Sequence, residues 1–159
     1  MYFNLGLAID TLHLKNKENK MYLVGFFKEL DPEFSNFPDS IYDFKNKLDP
    51  DIKPMVLNYL TQSTGIMDWV DTVGDCLNRD RAIVGGSCEW SDGEWIFRED
   101  LAYYVKEYDV GLPSKFIEKI INNNGIPPLS DETVRMDLDE IMGTINRAYD
   151  GDRDVFVEP

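Results

Sequence analysis

The stretch that most constrains this fold spans residues 88–97, where Asp92-Gly93 separates two aromatic-rich segments. Asp-Gly in this setting predicts a tight β-hairpin, because a type I′ turn needs positive φ at both central positions. In that register Trp90 faces Trp95 across the hairpin. The core face is expected to carry Cys88, Trp90, Trp95 and Phe97, and the more exposed face Glu89, Ser91, Glu94 and Arg98.

The periodicity of the flanking chain predicts an α+β fold. Alternation upstream places the start of the first strand near Arg81, so that the hairpin covers residues 82–97. Beyond Phe97 the apolar period changes to about 3.6, which is typical of an amphipathic helix. Further helices are predicted at residues 18–30, 39–48, 52–61, 116–121 and 130–145, with strand-like residues at 66–73. Residues 1–16 fit both a strand and a helix.

Length and composition predict one domain. A chain of 159 residues with 43% hydrophobic residues can bury a core of its own. We expect helices packed around a small antiparallel sheet over residues 1–149, followed by an acidic tail over residues 150–159. No run approaches the roughly 18 apolar residues of a membrane helix, and no signal peptide is recognised. Cys76 and Cys88 are interpreted as buried thiols. A cytoplasmic location is expected.

Charge is the bulk property that says most about partners. The chain carries 30 acidic and 16 basic residues, a net charge of −14, which argues against direct binding to nucleic acid. No membrane partner is expected, since no apolar run is long enough to span a bilayer. After Pro50 there are 22 acids and 10 bases. We therefore expect a basic protein partner to meet the later part of the chain, although the charge could also serve solubility alone. The candidate contacts, chosen by sign and expected exposure, are Asp68, Asp71, Asp75, Glu89 and Glu94.

Catalytic motifs are hard to find in this sequence. His13 is the sole histidine, so a histidine-based triad or a multi-histidine metal site is not available. Gly85-Gly86 lacks the spacing and the lysine of a phosphate loop, and is interpreted as a bulge or a close backbone approach. We expect no catalysis, no cofactor and no metal. A carboxylate-dependent hydrolase is the less favoured alternative, with Asp92, Glu94, Glu99 and Asp100, or Asp68, Asp71 and Asp75, as its acids.

The stretch from Gly85 to Val105, continued by Leu112-Pro113-Ser114-Lys115-Phe116, resembles a widespread group of small bacterial proteins. That group shares S/T-D-G-x-W-x-W, then D-L-x-Y-Y-V, then L-P-x-x-F. Here Phe97 stands where the second aromatic residue of the first motif is often Trp. The group is associated with the immunity side of toxin–immunity pairs.

The resemblance implies a non-catalytic protein that neutralises a cognate toxin by direct binding. An acidic inhibitor suits toxins that act on nucleic acids, since many of these are basic and would associate with it rapidly. The matching residues have structural roles in the turn, the core and the helix start, so the resemblance transfers no functional residue. An acidic regulatory or adaptor module with another protein partner is the alternative.

Overall fold

A β-hairpin lies at the centre of the main sheet. The computed structural model describes residues 20–33, 36–66, 71–128 and 137–156. Within them β5 (Glu89–Ser91) pairs antiparallel with β6 (Trp95–Arg98), β1 (Tyr22–Leu23) adds in parallel to β6, and β2 (Thr64–Gly65) adds antiparallel to β5. A separate two-stranded antiparallel sheet contains β3 (Thr72–Gly74) and β4 (Ala82–Val84).

The hairpin register differs from the predicted one by two residues. Trp90 faces Phe97 and Ser91 faces Ile96, so the turn is centred on Gly93-Glu94. Gly93 alone of these two has a positive φ, of 93°, which fits a type II′ turn with glycine first. Asp92 stands at the corner, where its carboxylate accepts hydrogen bonds from the backbone N–H groups of Glu94 and Trp95. A shift of two residues keeps every side chain on its predicted face.

The predicted strand from Arg81 into the hairpin is interrupted, and its two parts belong to different sheets. Gly85 has a φ of 89°, and a Cβ on Gly86 would lie 2.0 Å from a methyl group of Val73. The chain therefore turns at Gly85-Gly86, where β3 packs too closely for a side chain. Gly86 is thus closely approached, but by the Val73 side chain and not by backbone, and the two glycines lie between β4 and β5 and not inside a strand.

Five helices complete the described part of the chain, and most lie where the sequence predicts them. The helix predicted at residues 18–30 is wrong. Tyr22 and Leu23 instead extend the sheet, with the N–H of Tyr22 donating to the Glu94 carbonyl at 3.0 Å. Gly25 follows with a φ of 74°. The helices are α1 (Ile41–Phe44), α2 (Lys53–Gln62), α3 (Asp100–Tyr108), α4 (Ser114–Asn122) and α5 (Leu138–Tyr149).

Apolar cores cover both faces of β6, because successive side chains of a strand point to opposite faces. Trp95 and Phe97 pack against α2, α3 and α4, whereas Ile96 packs against α5. The second face of the hairpin is therefore not the exposed face that the sequence predicts: Ser91 is 1% and Arg98 5% exposed. The second core consists of Met21, Leu23, Phe26, Phe37, Ile96, Ile141, Ile145, Ala148 and Val155.

Part of the segment assigned to an acidic tail belongs to this second core. Val155 is fully buried, and its carbonyl accepts a hydrogen bond of 2.8 Å from the N–H of Leu23. The ring of Phe156 packs against Phe37. The described elements thus form a single α+β domain, with a mixed main sheet in place of an antiparallel one. None of the described helices has the length and apolar character needed to cross a bilayer.

Candidate interaction surface

Two of the five predicted contact residues, Asp71 and Glu94, are exposed. Asp71 precedes β3, and its carboxylate accepts a hydrogen bond of 3.1 Å from the Ser87 hydroxyl. Glu94 lies in the hairpin turn, where its carboxylate is 2.8 Å from the Lys119 ammonium group and half-exposed. Both acids therefore remain available to a partner, although each has a local polar contact. Asp68 lies outside the described residues.

Asp75 is not the exposed acid that the sequence predicts, since it is only 2% exposed. Its carboxylate accepts hydrogen bonds from the hydroxyls of Tyr103, at 2.9 Å, and Tyr108, at 2.5 Å. The N–H groups of Leu77 and Asn78 donate to it as well. Burial acts to raise the pKa of Asp75, but these hydrogen bonds outweigh it and hold the pKa below its usual value. Asp75 therefore stabilises the fold from inside.

Glu89 is half-buried beside Arg98, its neighbour across the hairpin. Burial raises the pKa of Glu89, and the positive charge of Arg98 partly opposes that rise. Glu89 thus presents less of its charge to a partner than the sequence suggests. Of the four predicted contact residues that are described, Asp75 is buried and Glu89 is half-buried. The two exposed ones stand apart in the fold: Asp71 precedes strand β3 of the two-stranded sheet, and Glu94 lies in the hairpin turn of the main sheet.

The buried acids near the hairpin have structural partners. Asp92, 1% exposed, accepts a hydrogen bond of 2.6 Å from the Tyr59 hydroxyl and lies 3.1 Å from the Lys119 ammonium group. Asp100, equally buried, makes a two-point contact with Arg98 at 3.1 and 2.8 Å. Burial raises the pKa of Asp100, and Arg98 opposes the rise. Two carboxylates that were candidates for hydrolysis therefore hold the hairpin and α3 in place.

In the described ranges, potential metal ligands form no cluster and both cysteines are at least half-buried. Residues 20–33, 36–66, 71–128 and 137–156 contain no group of three His, Cys, Asp or Glu side chains placed to hold a metal ion. Cys88 is buried and Cys76 is half-buried. Burial raises the pKa of the Cys76 thiol, which lowers the fraction present as the nucleophilic thiolate. His13 lies outside the described residues.

A groove of about 830 Å³ opens between α1, α4 and the loop that joins α1 to α2. We call it the acidic groove. Its apolar lining is half-buried to exposed, except for buried Leu48, and Ile121 is 44% exposed. Its apolar side chains are therefore open to contact with a partner. The apolar residues that line it are Phe44, Leu48, Ile52, Leu112, Ile117 and Ile121.

The charged residues that line the acidic groove have one predominant sign. Four are acids and one is a base: Asp39, Asp43, Asp49, Glu118 and Lys47. Burial raises the pKa of Asp39, Arg153 lowers it, and the charge of Asp43 raises it further. Within the described part of the chain, the carboxylates of Asp43 and Glu118 have neither a hydrogen bond nor an ion pair. The groove therefore offers net negative charge around an apolar centre.

Backbone hydrogen bonds fix the walls of the acidic groove. The carbonyl of Asp109 accepts hydrogen bonds of 2.9 Å from the N–H groups of both Lys47 and Leu48. The N–H of Gly111 donates to the Phe44 carbonyl at 2.8 Å, and a Cβ on Gly111 would lie 2.7 Å from that of Lys47. The loop after α1 and the segment after α3 are thus joined directly, so the groove is formed before any partner arrives.

A second groove, of about 810 Å³, lies between α2, α3, β4 and the hairpin. We call it the mixed groove, because its charged lining residues are Arg98, Lys106 and Glu99. Val84 stands in its apolar lining and is 78% exposed. The two grooves are similar in volume and both contain apolar side chains. They differ in charge, and only the acidic groove matches the sign of the whole chain.

No protein-family model matches this chain, and neither curated proteins nor solved structures give a significant match.

Sequence reasoning missed the acidic groove because three of its four acids precede Asp51, in the part of the chain where charges nearly balance. Phe44 packs partly against the main core and the ring of Phe27, and leaves the rest of its side chain in the groove. The signal was the alternation of acids with apolar residues from Asp39 to Ile52. That pattern predicts a half-buried surface, but it does not show that α4 supplies the opposite wall.

Proposed function

We propose that this protein is a non-catalytic binding protein that recognises a basic partner, and specifically that it is an immunity protein that neutralises a toxin. The observation that carries the proposal is the acidic groove, in which four acids and one lysine border an apolar centre. A net charge of −14 attracts a basic protein at long range, and a matched surface then selects it at contact.

The non-catalytic part of the proposal is supported by what the buried acids do. Asp75, Asp92 and Asp100 are each engaged by hydrogen bonds or ion pairs within the fold. A general acid or base must reach a substrate, and these three carboxylates face protein donors instead. Inhibition by direct binding needs no reactive group, because covering the active site of a toxin is sufficient.

The test begins with the protein encoded beside this one. Expressed alone, that protein should arrest bacterial growth, and co-expression of the acidic protein should restore it. An adaptor would bind without restoring growth, which separates the two classes. Hydrolysis by the purified protein that is lost in a folded Asp71→Asn variant would support a carboxylate enzyme instead.

Binding kinetics then test the role of charge. Between about 10 mM and about 150 mM salt the Debye length falls from about 30 Å to about 8 Å. We expect the association rate to fall at least tenfold over that range, because long-range steering is screened, and the dissociation rate to change less. A partner that is itself acidic, or an association rate that does not respond to salt, would contradict the proposal.

A further inference from the structure

The acidic groove exposes apolar side chains that the rest of the described chain does not cover. Ile121 is the clearest case, since it lies on α4 beside half-buried Ile117 and is 44% exposed. Covering apolar surface is favourable by roughly 25 cal/mol for each Å² removed from water. A partner that placed apolar side chains here would gain that free energy without displacing any described segment.

The walls of the groove select the form of the occupant. Every lining residue lies in α1, in α4, in the turn before α2 or in the connecting loops, so no strand edge opens into it. An extended peptide would therefore find no strand to pair with, whereas a helix binds a groove through its side chains alone. Anchors at positions i, i+4 and i+7 of a helix span about 10 Å, which fits within the roughly 13 Å length of the nine-residue α4.

Charge selects the composition of the occupant. Asp43 lies on α1 and Glu118 on α4, and neither carboxylate makes an ion pair within the described residues. Lysine or arginine side chains on the two flanks of a bound helix would meet them. An acidic helix would bring like charges together and would be repelled.

We propose that the acidic groove binds an amphipathic α-helix of the partner, with apolar anchors over Ile117 and Ile121 and basic side chains beside Asp43 and Glu118. This inference rests on the proposed function and identifies the surface that performs it. The hydrogen bonds from Lys47 and Leu48 to Asp109 hold the site open in advance, so binding requires little rearrangement of this chain.

A designed peptide provides a defined probe. We would use an 18-residue peptide of Leu and Lys at amphipathic helical spacing. One control replaces each Lys with Glu, and the other scrambles the same residues so that no apolar face forms. Fluorescence anisotropy at about 100 mM salt should show micromolar binding of the Leu–Lys peptide, and at least tenfold weaker binding of both controls, because the groove needs both charge and periodicity.

Matched variants locate the binding. Ile121→Ser, and the pair Asp43→Asn with Glu118→Gln, should each weaken binding about tenfold or more. The first control is Val84→Ser, which removes a more exposed apolar side chain from the mixed groove. The second is Asp80→Asn with Asp154→Asn, which removes the same charge from exposed positions that do not line the groove. Both controls should stay within about twofold of wild type, a change too small to indicate a lost contact.

Several outcomes would overturn the assignment of this groove. They are absence of peptide binding, equal binding of the Glu or scrambled peptide, and equal losses in the Ile121→Ser and Val84→Ser variants. The two proposals can also fail separately. If a toxin binds wild type and both groove variants equally, the proposed function holds and the assignment of the groove is wrong. If the peptides bind as expected but no basic partner is found and growth is not restored, the groove assignment holds and the proposed function is wrong.

Discussion

Asp75 shows how a single acid can be retained inside this fold. Four donors surround its carboxylate, two of them tyrosine hydroxyls from α3. Removing a charge from water is costly, and it is tolerated where hydrogen bonds satisfy the charged form. Those bonds favour the ionised carboxylate strongly enough to hold its pKa low. The ionised form of Asp75 is therefore part of the folded state.

The stability that Asp75 contributes should depend on pH in a defined direction. Its folded pKa is lowered, so the contribution is fully present above the unfolded pKa of about 3.9 and is lost as pH falls through the folded value. Urea unfolding should therefore show a clear deficit for Asp75→Asn at pH 7 that shrinks below about pH 4. Asp71→Asn, at an exposed position, serves as the control. A deficit that stays constant with pH would contradict this role.

The sequence could not reveal this role for Asp75. Asp71 and Asp75 both border a short strand, and their neighbours along the chain look alike. What separates them is Tyr103 and Tyr108, which approach Asp75 from a helix about 30 residues away along the chain. For Asp92 the sequence did better, because the use of Asp in turns is local. Even there, its contacts with Tyr59 and Lys119 came from distant elements.

At the scale of elements, the sequence predicted that a hairpin forms and which side chains share each of its faces. It did not predict the register of the two strands. The alternation of apolar residues determines which side chains share a face, and a shift of two residues leaves that unchanged. The register depends on whether Asp92 occupies the centre or the corner of the turn. The hydrogen bonds that its carboxylate accepts from the N–H groups of Glu94 and Trp95 favour the corner position. Asp-Gly is compatible with both arrangements.

Truncation of Trp95 tests the core face of the hairpin. Its ring is 3% exposed, with centroids 4.9 Å from Phe116 and 5.4 Å from Tyr22. Trp95→Ala should lower the free energy of unfolding by about 3–5 kcal/mol, since a large buried ring leaves a cavity. Trp90→Ala is the matched control, because Trp90 is half-buried and should cost less. Equal unfolding midpoints for Trp95→Ala and wild type would place that ring outside the core.

Helix α1 has an N-terminal cap that the neighbouring sequence does not predict. Ser40 precedes it, and serine commonly caps a helix, but the Ser40 side chain does not bond to the helix. Glu29 takes that place: one carboxylate oxygen accepts a hydrogen bond of 2.9 Å from the N–H of Ile41, and the other accepts from the Ser40 hydroxyl. A cap supplied from eleven residues upstream is a tertiary contact, which no capping pattern predicts.

At the scale of the whole molecule, the sequence predicted the α+β class and helices packed around the hairpin, which α2, α3 and α4 do on its Trp95 face. Helix α3 follows β6 almost directly, and residues 109–113 alone join it to α4. The second core was missed because it joins residues near opposite ends of the described chain. Phe26 and Phe37 meet Ile145 and Val155 on the Ile96 face of the sheet. Taken one at a time, the sequences of those segments have the pattern of a loop, a short helix or a polar chain end, and none indicates a second core.

The last prediction concerns removal of residues 151–159, which are all but the first residue of the segment 150–159 that the sequence set apart as a tail. Ending the chain at Asp150 removes Val155, fully buried, and leaves the N–H of Leu23 without the carbonyl that it contacts at 2.8 Å. It also removes Phe156 from its contact with Phe37. We expect this truncation to lower the free energy of unfolding by about 3 kcal/mol or more, from lost apolar burial and an unsatisfied donor.

The measurement is urea unfolding followed by tryptophan fluorescence and circular dichroism, with Asp154→Asn as an exposed control in the same segment. Coincident transitions shifted to lower urea would show that both cores unfold together, because the two sides share strand β6. A truncated chain as stable as wild type would mean that the segment contributes nothing to the free energy of unfolding.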